Sequence, residues 1–270
     1  MRIIRVFPRR TALTPTDAMA FVGDPPMFRP DADEVHVSVT FIWDIEEGQR
    51  LAGAWAQYYD DVHLGGPAMG SQPIGFTPGR YVKTGVTFTS RGCNNQCPWC
   101  LVPPREGRLS EYTDFAAGNL VQDNNLLQCS RSHIDKVFAM LREQRAVEFT
   151  GGLDARLLTQ DIADSIRGLR LKQLFLACDT DNGLAPLERA IQLLQLPRDK
   201  MRCYVLCAFG TTIDQCEERL RRIWYSGAMP FAQLYQPPDH WIEYSQEWRR
   251  FARTWSRPAA MKDHMRTEEE

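Results

Sequence analysis

The chain has 270 residues, 43% of them hydrophobic and 24% charged, with a formal net charge of −2. That size and balance suit one large α/β domain plus an appendage, and exclude a disordered or fibrous protein. No run approaches the roughly eighteen consecutive apolar residues of a membrane span, and the small net charge gives no global field that would gather nucleic acid. Eight cysteines, with no apolar leader ahead of them, are too sparse for a secreted disulfide framework, so reduced thiols and a cytoplasmic setting are expected.

Residues 1 to 80 read as an irregular extension, interrupted by Pro8, Pro15, Pro25, Pro26, Pro30, Pro67, Pro73 and Pro78. Within it lies one βαβ-like unit: a strand over Val35–Phe41, a helix over Ile45–Tyr58 and a short strand over Val62–Leu64. From 81 to 237 strand and helix patterns alternate. Strands are expected at Val86–Thr89, Asn119–Gln122, Val147–Thr150, Gln173–Cys178, Cys203–Phe209 and Phe231–Tyr235. Helices are expected at Ser132–Gln144, Gln160–Arg167, Leu184–Leu194 and Thr212–Trp224. Such alternation predicts a parallel, right-handed βα arrangement with strands apolar on both faces, closing into an open six-stranded partial barrel. Residues 238–270 are expected to form an amphipathic helix and a disordered polar tail from Lys262 to Glu270.

After the first core strand comes Arg91-Gly92-Cys93-Asn94-Asn95-Gln96-Cys97-Pro98-Trp99-Cys100. Three thiolates on one short loop can serve a single inorganic centre and leave one metal position open. This C-x-x-x-C-x-x-C loop resembles the cluster loop of the radical S-adenosylmethionine (SAM) superfamily. The resemblance implies a 4Fe–4S cluster on Cys93, Cys97 and Cys100, a partial-barrel core, and SAM chelated by the fourth iron. It further implies one-electron cleavage of SAM to methionine and a 5′-deoxyadenosyl radical, fed by an external flavodoxin- or ferredoxin-like donor. A zinc site would need a fourth ligand at ligand-like spacing, and the next cysteine is Cys129.

Active sites of such folds gather at the carboxyl ends of the strands. The second strand ends in Gln122-Asp123-Asn124-Asn125, similar to the Asp-x-Asn motif with which some radical SAM enzymes hold the SAM amino group; an Asx-rich turn is the plainer reading. The third ends in Thr150-Gly151-Gly152-Leu153-Asp154-Ala155-Arg156, resembling the methylthiotransferase-like and cobalamin-type enzymes. There Arg156 would approach the SAM carboxylate, and Gly151-Gly152 would admit backbone to a ligand or serve as the amino-group motif itself. By the same resemblance Asp179 would meet a ribose hydroxyl and Gly210 the adenine, while Thr212 could equally be a helix cap.

Two further patterns are discounted. Asp61-Val62-His63-Leu64-Gly65-Gly66 fits Asp-x-His-x-x-Gly, whose His ligates cobalt in cobalamin domains, but the flanking motifs are misplaced. It looks like the last strand of a shrunken cobalamin-binding-like region, and cobalamin is not expected. Cys203 and Cys207 read as small core residues, so one cluster is expected.

The substrate is less legible. Arg2, Arg5, Arg9 and Arg10 with Phe7, and Arg249, Arg250 and Arg253 with Trp248, Phe251 and Trp255, interleave cations with aromatics as nucleic-acid contacts do. The second set equally describes a helix packing its aromatic face inward. Tyr235 and Gln236 would line the substrate mouth. The leading expectation is hydrogen abstraction from a nucleobase in DNA or RNA; the alternatives are a small metabolite or peptide substrate, or a catalytically inactive zinc-bound interaction module.

Overall fold

The computed structural model describes residues 1–69 and 80–269 and divides into two compact units, Met1–Val86 and Thr87–Glu270. Pro73, Pro78 and Glu270 lie outside the described residues.

The first unit is more regular than its prolines suggest. Strands β1 (Ile3–Phe7), β2 (Ala20–Val22), β3 (Glu34–Ser38) and β4 (Val62–Gly65) form a parallel sheet of order β2-β1-β3-β4, with helix α1 (Ile45–Trp55) between β3 and β4. The anticipated βαβ unit is present, but β1 and β2 extend it. Ile4, Val6, Val35 and Val37 alternate into a core with Leu51 and Trp55 of α1. The arginine-rich start is therefore a strand of the sheet rather than an irregular arm. Phe7 is buried, Arg5 is bound to Asp17 and to the Arg80 carbonyl, and Arg9 grips the Asp44 carboxylate through two nitrogens.

The second unit carries β5 (Val86–Thr87, at the junction), β6 (Ser90–Arg91), α2 (Val102–Glu106), β7 (Ser110–Glu111), β8 (Leu120–Val121), α3 (Arg131–Arg142) and β9 (Val147–Leu153). These are followed by α4 (Gln160–Arg167), β10 (Leu171–Ala177), α5 (Leu184–Leu194), β11 (Met201–Cys207), α6 (Ile213–Ser226), β12 (Met229–Leu234), α7 (Gln246–Ser256) and α8 (Pro258–Glu269). Six of the strands form a parallel sheet of order β12-β11-β10-β9-β8-β5, and β6 and β7 pair antiparallel by themselves.

The helices form where apolar residues recur at spacings of three and four. Ile134, Val137, Phe138 and Leu141 of α3, and Leu184, Leu187, Ile191 and Leu194 of α5, are buried along one stripe. Ser130 caps α3, and Thr212 with Gln215 forms a capping box on α6. The strands, expected to be apolar on both faces, are covered fully on one only. On β11, Met201, Cys203, Val205 and Cys207 are buried against the helices, whereas Arg202, Tyr204 and Leu206 on the other face are half-buried.

The expected disordered tail is also corrected. Lys262 to Glu269 continues α8, which seats Met261 and Met265 in the core of the second unit and packs on α7. Two methionines four residues apart suffice to anchor an otherwise polar helix. Met265 is 1% exposed, so Met265→Ala should cost about 2–5 kcal/mol, read as a lower denaturant midpoint. An unstructured tail would leave the midpoint unmoved.

Candidate active site at the cysteine loop

The cysteine loop is closed at its base by the β6–β7 pair and by the Cys93 amide donating to the Gly107 carbonyl at 3.2 Å. Gly92 makes this possible: its φ is +79°, and a Cβ there would stand 2.3 Å from the Arg108 carbonyl oxygen. From that base the loop reaches over the carboxyl ends of three strands. Asn95 donates to Asp154 after β9 at 3.2 Å, and the Trp99 indole donates to Asp179 after β10 at 3.2 Å. The Trp99 ring also lies 5.5 Å from that of Phe209, after β11, which in turn packs 4.8 Å from Tyr235, after β12.

Cys93, Cys97 and Cys100 are free thiols gathered on this loop. Burial raises the pKa of Cys97 and Cys100; the neighbouring Cys100 and Asp179 push Cys97 further up, while the Val102 amide donating to Cys100 partly offsets the rise there. Tetrahedral thiolates on one zinc stand about 3.8 Å apart, from Zn–S bonds of about 2.3 Å. Among the described residues, the one group of three metal-binding side chains whose ligand atoms all lie within 4.8 Å is elsewhere.

Asn125, expected as a SAM ligand, is 5% exposed and lies at the first cysteine. Its amide nitrogen donates to the Cys93 sulfur at 3.8 Å and to Asp154 at 3.4 Å, and its buried carbonyl oxygen has no partner. Asp123, from the same motif, is placed differently. It is 2% exposed, and its carboxylate accepts from the Thr89 amide at 2.7 Å, the Thr89 hydroxyl, and the Ser90 hydroxyl at 2.7 Å. His133 of α3 reaches the same Thr89 hydroxyl at 3.0 Å. Burial raises the pKa of Asp123 despite these donors. Its oxygens are thus committed to the chain that leads into the cysteines rather than turned toward a ligand.

The Gly-Gly pair lies inside β9, not beyond it. Gly151 serves the close approach of β8 to β9, since a Cβ there would stand 1.9 Å from the Asp123 carbonyl oxygen. Gly152, with φ +93°, has no close neighbour on its Cβ side except the Tyr204 ring at 3.9 Å, and Gly210 has none. Arg156 chelates Asp154 through nitrogens at 2.8 and 2.6 Å. Burial works to raise the Asp154 carboxyl, but Arg156 and Asn95 outweigh it and hold it below the usual range. Asp179 accepts from Trp99 and from the Leu206 amide, yet burial keeps its pKa raised.

Tyr235 joins the aromatic row, whereas Gln236 braces its own loop by exchanging hydrogen bonds with Ile242. Arg249, Arg250 and Arg253 are exposed on α7, while Phe251 and Trp255 are buried on its inner face, unavailable for base stacking. Gln128 and Asp154 escaped the sequence reading. Gln128 accepts from the Asn94 amide at 2.8 Å and donates to Asn95 at 2.9 Å, fixing the loop. Nothing in its sequence context marks it, although Asp154 stands two residues before Arg156 at a strand end.

No family model matches the chain, and no curated protein matches it.

Two outcomes follow from this geometry. Gly151→Ala should unfold or severely destabilise the second unit, because backbone must move to admit the methyl group, and circular dichroism melting will register it. Asp123→Asn presents an NH₂ where two donors already converge, and should cost about 1–3 kcal/mol at acid pH, where both side chains are neutral. A carboxyl whose folded pKa is raised contributes stability present below its unfolded pKa of about 3.9 and lost as pH rises through the folded value. The substitution should therefore flatten the stability–pH curve above pH 4, as urea titrations across pH will show.

Proposed function

We propose that the chain is a radical SAM enzyme holding one 4Fe–4S cluster on Cys93, Cys97 and Cys100, with its six parallel strands as an open (βα)6 partial barrel. The observation that carries this reading is the orphaned Asn125 carbonyl beside Cys93: a buried acceptor without a partner requires a donor, and the SAM ammonium is one. When bound, the cluster supplies the electron that cleaves SAM to methionine and a 5′-deoxyadenosyl radical, which takes hydrogen from an unreactive C–H bond.

The chain's own residues bind and orient. Asn125 accepts from the ammonium. Arg156 offers a guanidinium to the carboxylate, in exchange for or alongside Asp154. Asp179 uses spare lone pairs for a ribose hydroxyl, and Gly152 and Gly210 leave backbone accessible on their open sides. Asp123 is a positioning residue that holds the base of the loop. The row of Trp99, Phe209 and Tyr235 favours a planar substrate, and a nucleobase in DNA or RNA fits it by stacking. Electrons come from a flavodoxin- or ferredoxin-like donor.

The test is anaerobic reconstitution with iron and sulfide, reduction with dithionite in the presence of SAM, and assay for 5′-deoxyadenosine. Formation that is lost in Cys97→Ala supports the reading; stoichiometric zinc, no cluster and intact SAM would replace it with a zinc-bound module. Asn125→Ala should weaken SAM binding about tenfold or more while leaving the cluster absorbance intact, and unchanged affinity would remove Asn125 from the site.

A further inference from the structure

Two acid-x-His repeats face each other in the first unit. Glu34-Val35-His36 lies on β3 and Asp61-Val62-His63 enters β4, paired in register so that Val35 opposes Val62 and His36 opposes His63. Side chains alternate across a sheet, so Val35 turns into the core while Glu34 and His36 share the opposite face with His63. The two imidazoles meet edge to face with centroids 5.2 Å apart. One ligand atom from each of Glu34, His36 and His63 lies within 4.8 Å of the others, and this is the one such trio among the described residues.

From this arrangement the geometry points to a binding site for a divalent cation of the zinc class, held by Glu34, His36 and His63 at the edge of the four-stranded sheet. Imidazole with carboxylate is a donor set that zinc accepts, with bonds of about 2.0–2.2 Å, and three protein ligands leave a fourth position for water or for Asp61. The outer partners needed to orient the ligands are present. Nδ1 of His36 is hydrogen-bonded to the Tyr81 hydroxyl at 2.5 Å, which directs Nε2 toward Glu34, 2.7 Å away. His63 pairs with Asp61 at 2.8 Å, so each imidazole brings an acid of its own. Of the cations here, Arg5, opposite His36, is engaged by Asp17 and the Arg80 carbonyl, and the Arg80 side chain is hydrogen-bonded to the Tyr81 hydroxyl.

The site asks little rearrangement. His36 is 7% exposed and fixed by two partners, whereas the His63 side chain is 39% exposed and would exchange its Asp61 contact for the metal. Because β4 is an edge strand, a metal bridging it to β3 would clip that edge to the sheet. The inference does not rest on the cysteine loop.

The test is equilibrium dialysis of the reduced, full-length protein against buffered zinc alone, with bound metal counted by elemental analysis and its ligands read by zinc K-edge absorption. The wild-type protein should hold one equivalent on nitrogen and oxygen ligands at about 2.0 Å, distinct from any zinc on sulfur at about 2.3 Å. His63→Ala should lose that equivalent, and Glu34→Gln should weaken it at least tenfold, with any sulfur-bound zinc untouched. Zinc binding in His63→Ala equal to wild type would overturn the site, as would a wild-type protein with no nitrogen- and oxygen-bound zinc. Should His63→Ala fold poorly by circular dichroism, the near-isosteric Glu34→Gln decides, and undiminished affinity there overturns the site equally.

Discussion

The cysteine loop hangs on a buried carboxylate. Asp123 is answered not by a salt bridge but by an amide and two hydroxyls, all from Thr89 and Ser90, where the first core strand gives way to the loop. Burial opposes the charge, and the three donors together only partly repay it. A carboxylate so placed tolerates few alternatives, since moving Thr89 or Ser90 strands either the acid or its donors. It therefore fixes where the chain leaves the sheet, and through β6 and β7 where the loop begins. His133 extends the constraint to α3 by way of the Thr89 hydroxyl.

From that anchor the loop is held by strand ends that are distant in sequence. Asn95 meets Asp154, 59 residues on, and Trp99 meets Asp179, 80 residues on. Those acids are where they are because β9 and β10 run parallel, with two register shifts along the pair, and stop at the same side of the sheet. The half-buried face of β11, with Tyr204 stacked 4.5 Å from Phe175, lies on the side not filled by helices. The parallel sheet thus does two jobs: one face makes the core, and its carboxyl edge becomes the frame on which loop side chains are aligned.

The alternation of strands and helices in the second unit was legible because its main helices repeat apolar residues at the helical period and β8, β9, β10 and β11 run into Asp or Gly within three residues of their ends. Roles within the motifs were not. Asp123 and Asn125 sit two residues apart and look interchangeable, yet one turns back to Thr89 and the other toward Cys93, because both lie past the end of β8, where the chain turns into Leu126–Gln128. Gly151 looked like a ligand cradle and is instead a crossing point of two backbones, because β9 continues past Thr150. Strand β2 is only three residues long, and β1, though as long as β3, runs directly into Pro8, which masked it. The tail failed in the opposite sense: its charges outnumber its methionines, and only tertiary packing shows that two buried side chains outweigh them.

The electrostatics of the candidate site favour neutral thiols and a neutral acid around the loop. Burial and mutual repulsion disfavour thiolates at Cys97 and Cys100, and the nearest guanidinium, Arg156, spends its charge on Asp154. Asp179 adds a further acid that burial pushes toward its neutral form. On the proposed reading, a cationic centre at the loop would reverse this preference, and its binding would expel protons from the thiols and tighten the loop together. The proposed ligand, carrying both an ammonium and a carboxylate, would then answer what remains, the unpartnered Asn125 oxygen and an arginine that can trade one carboxylate for another.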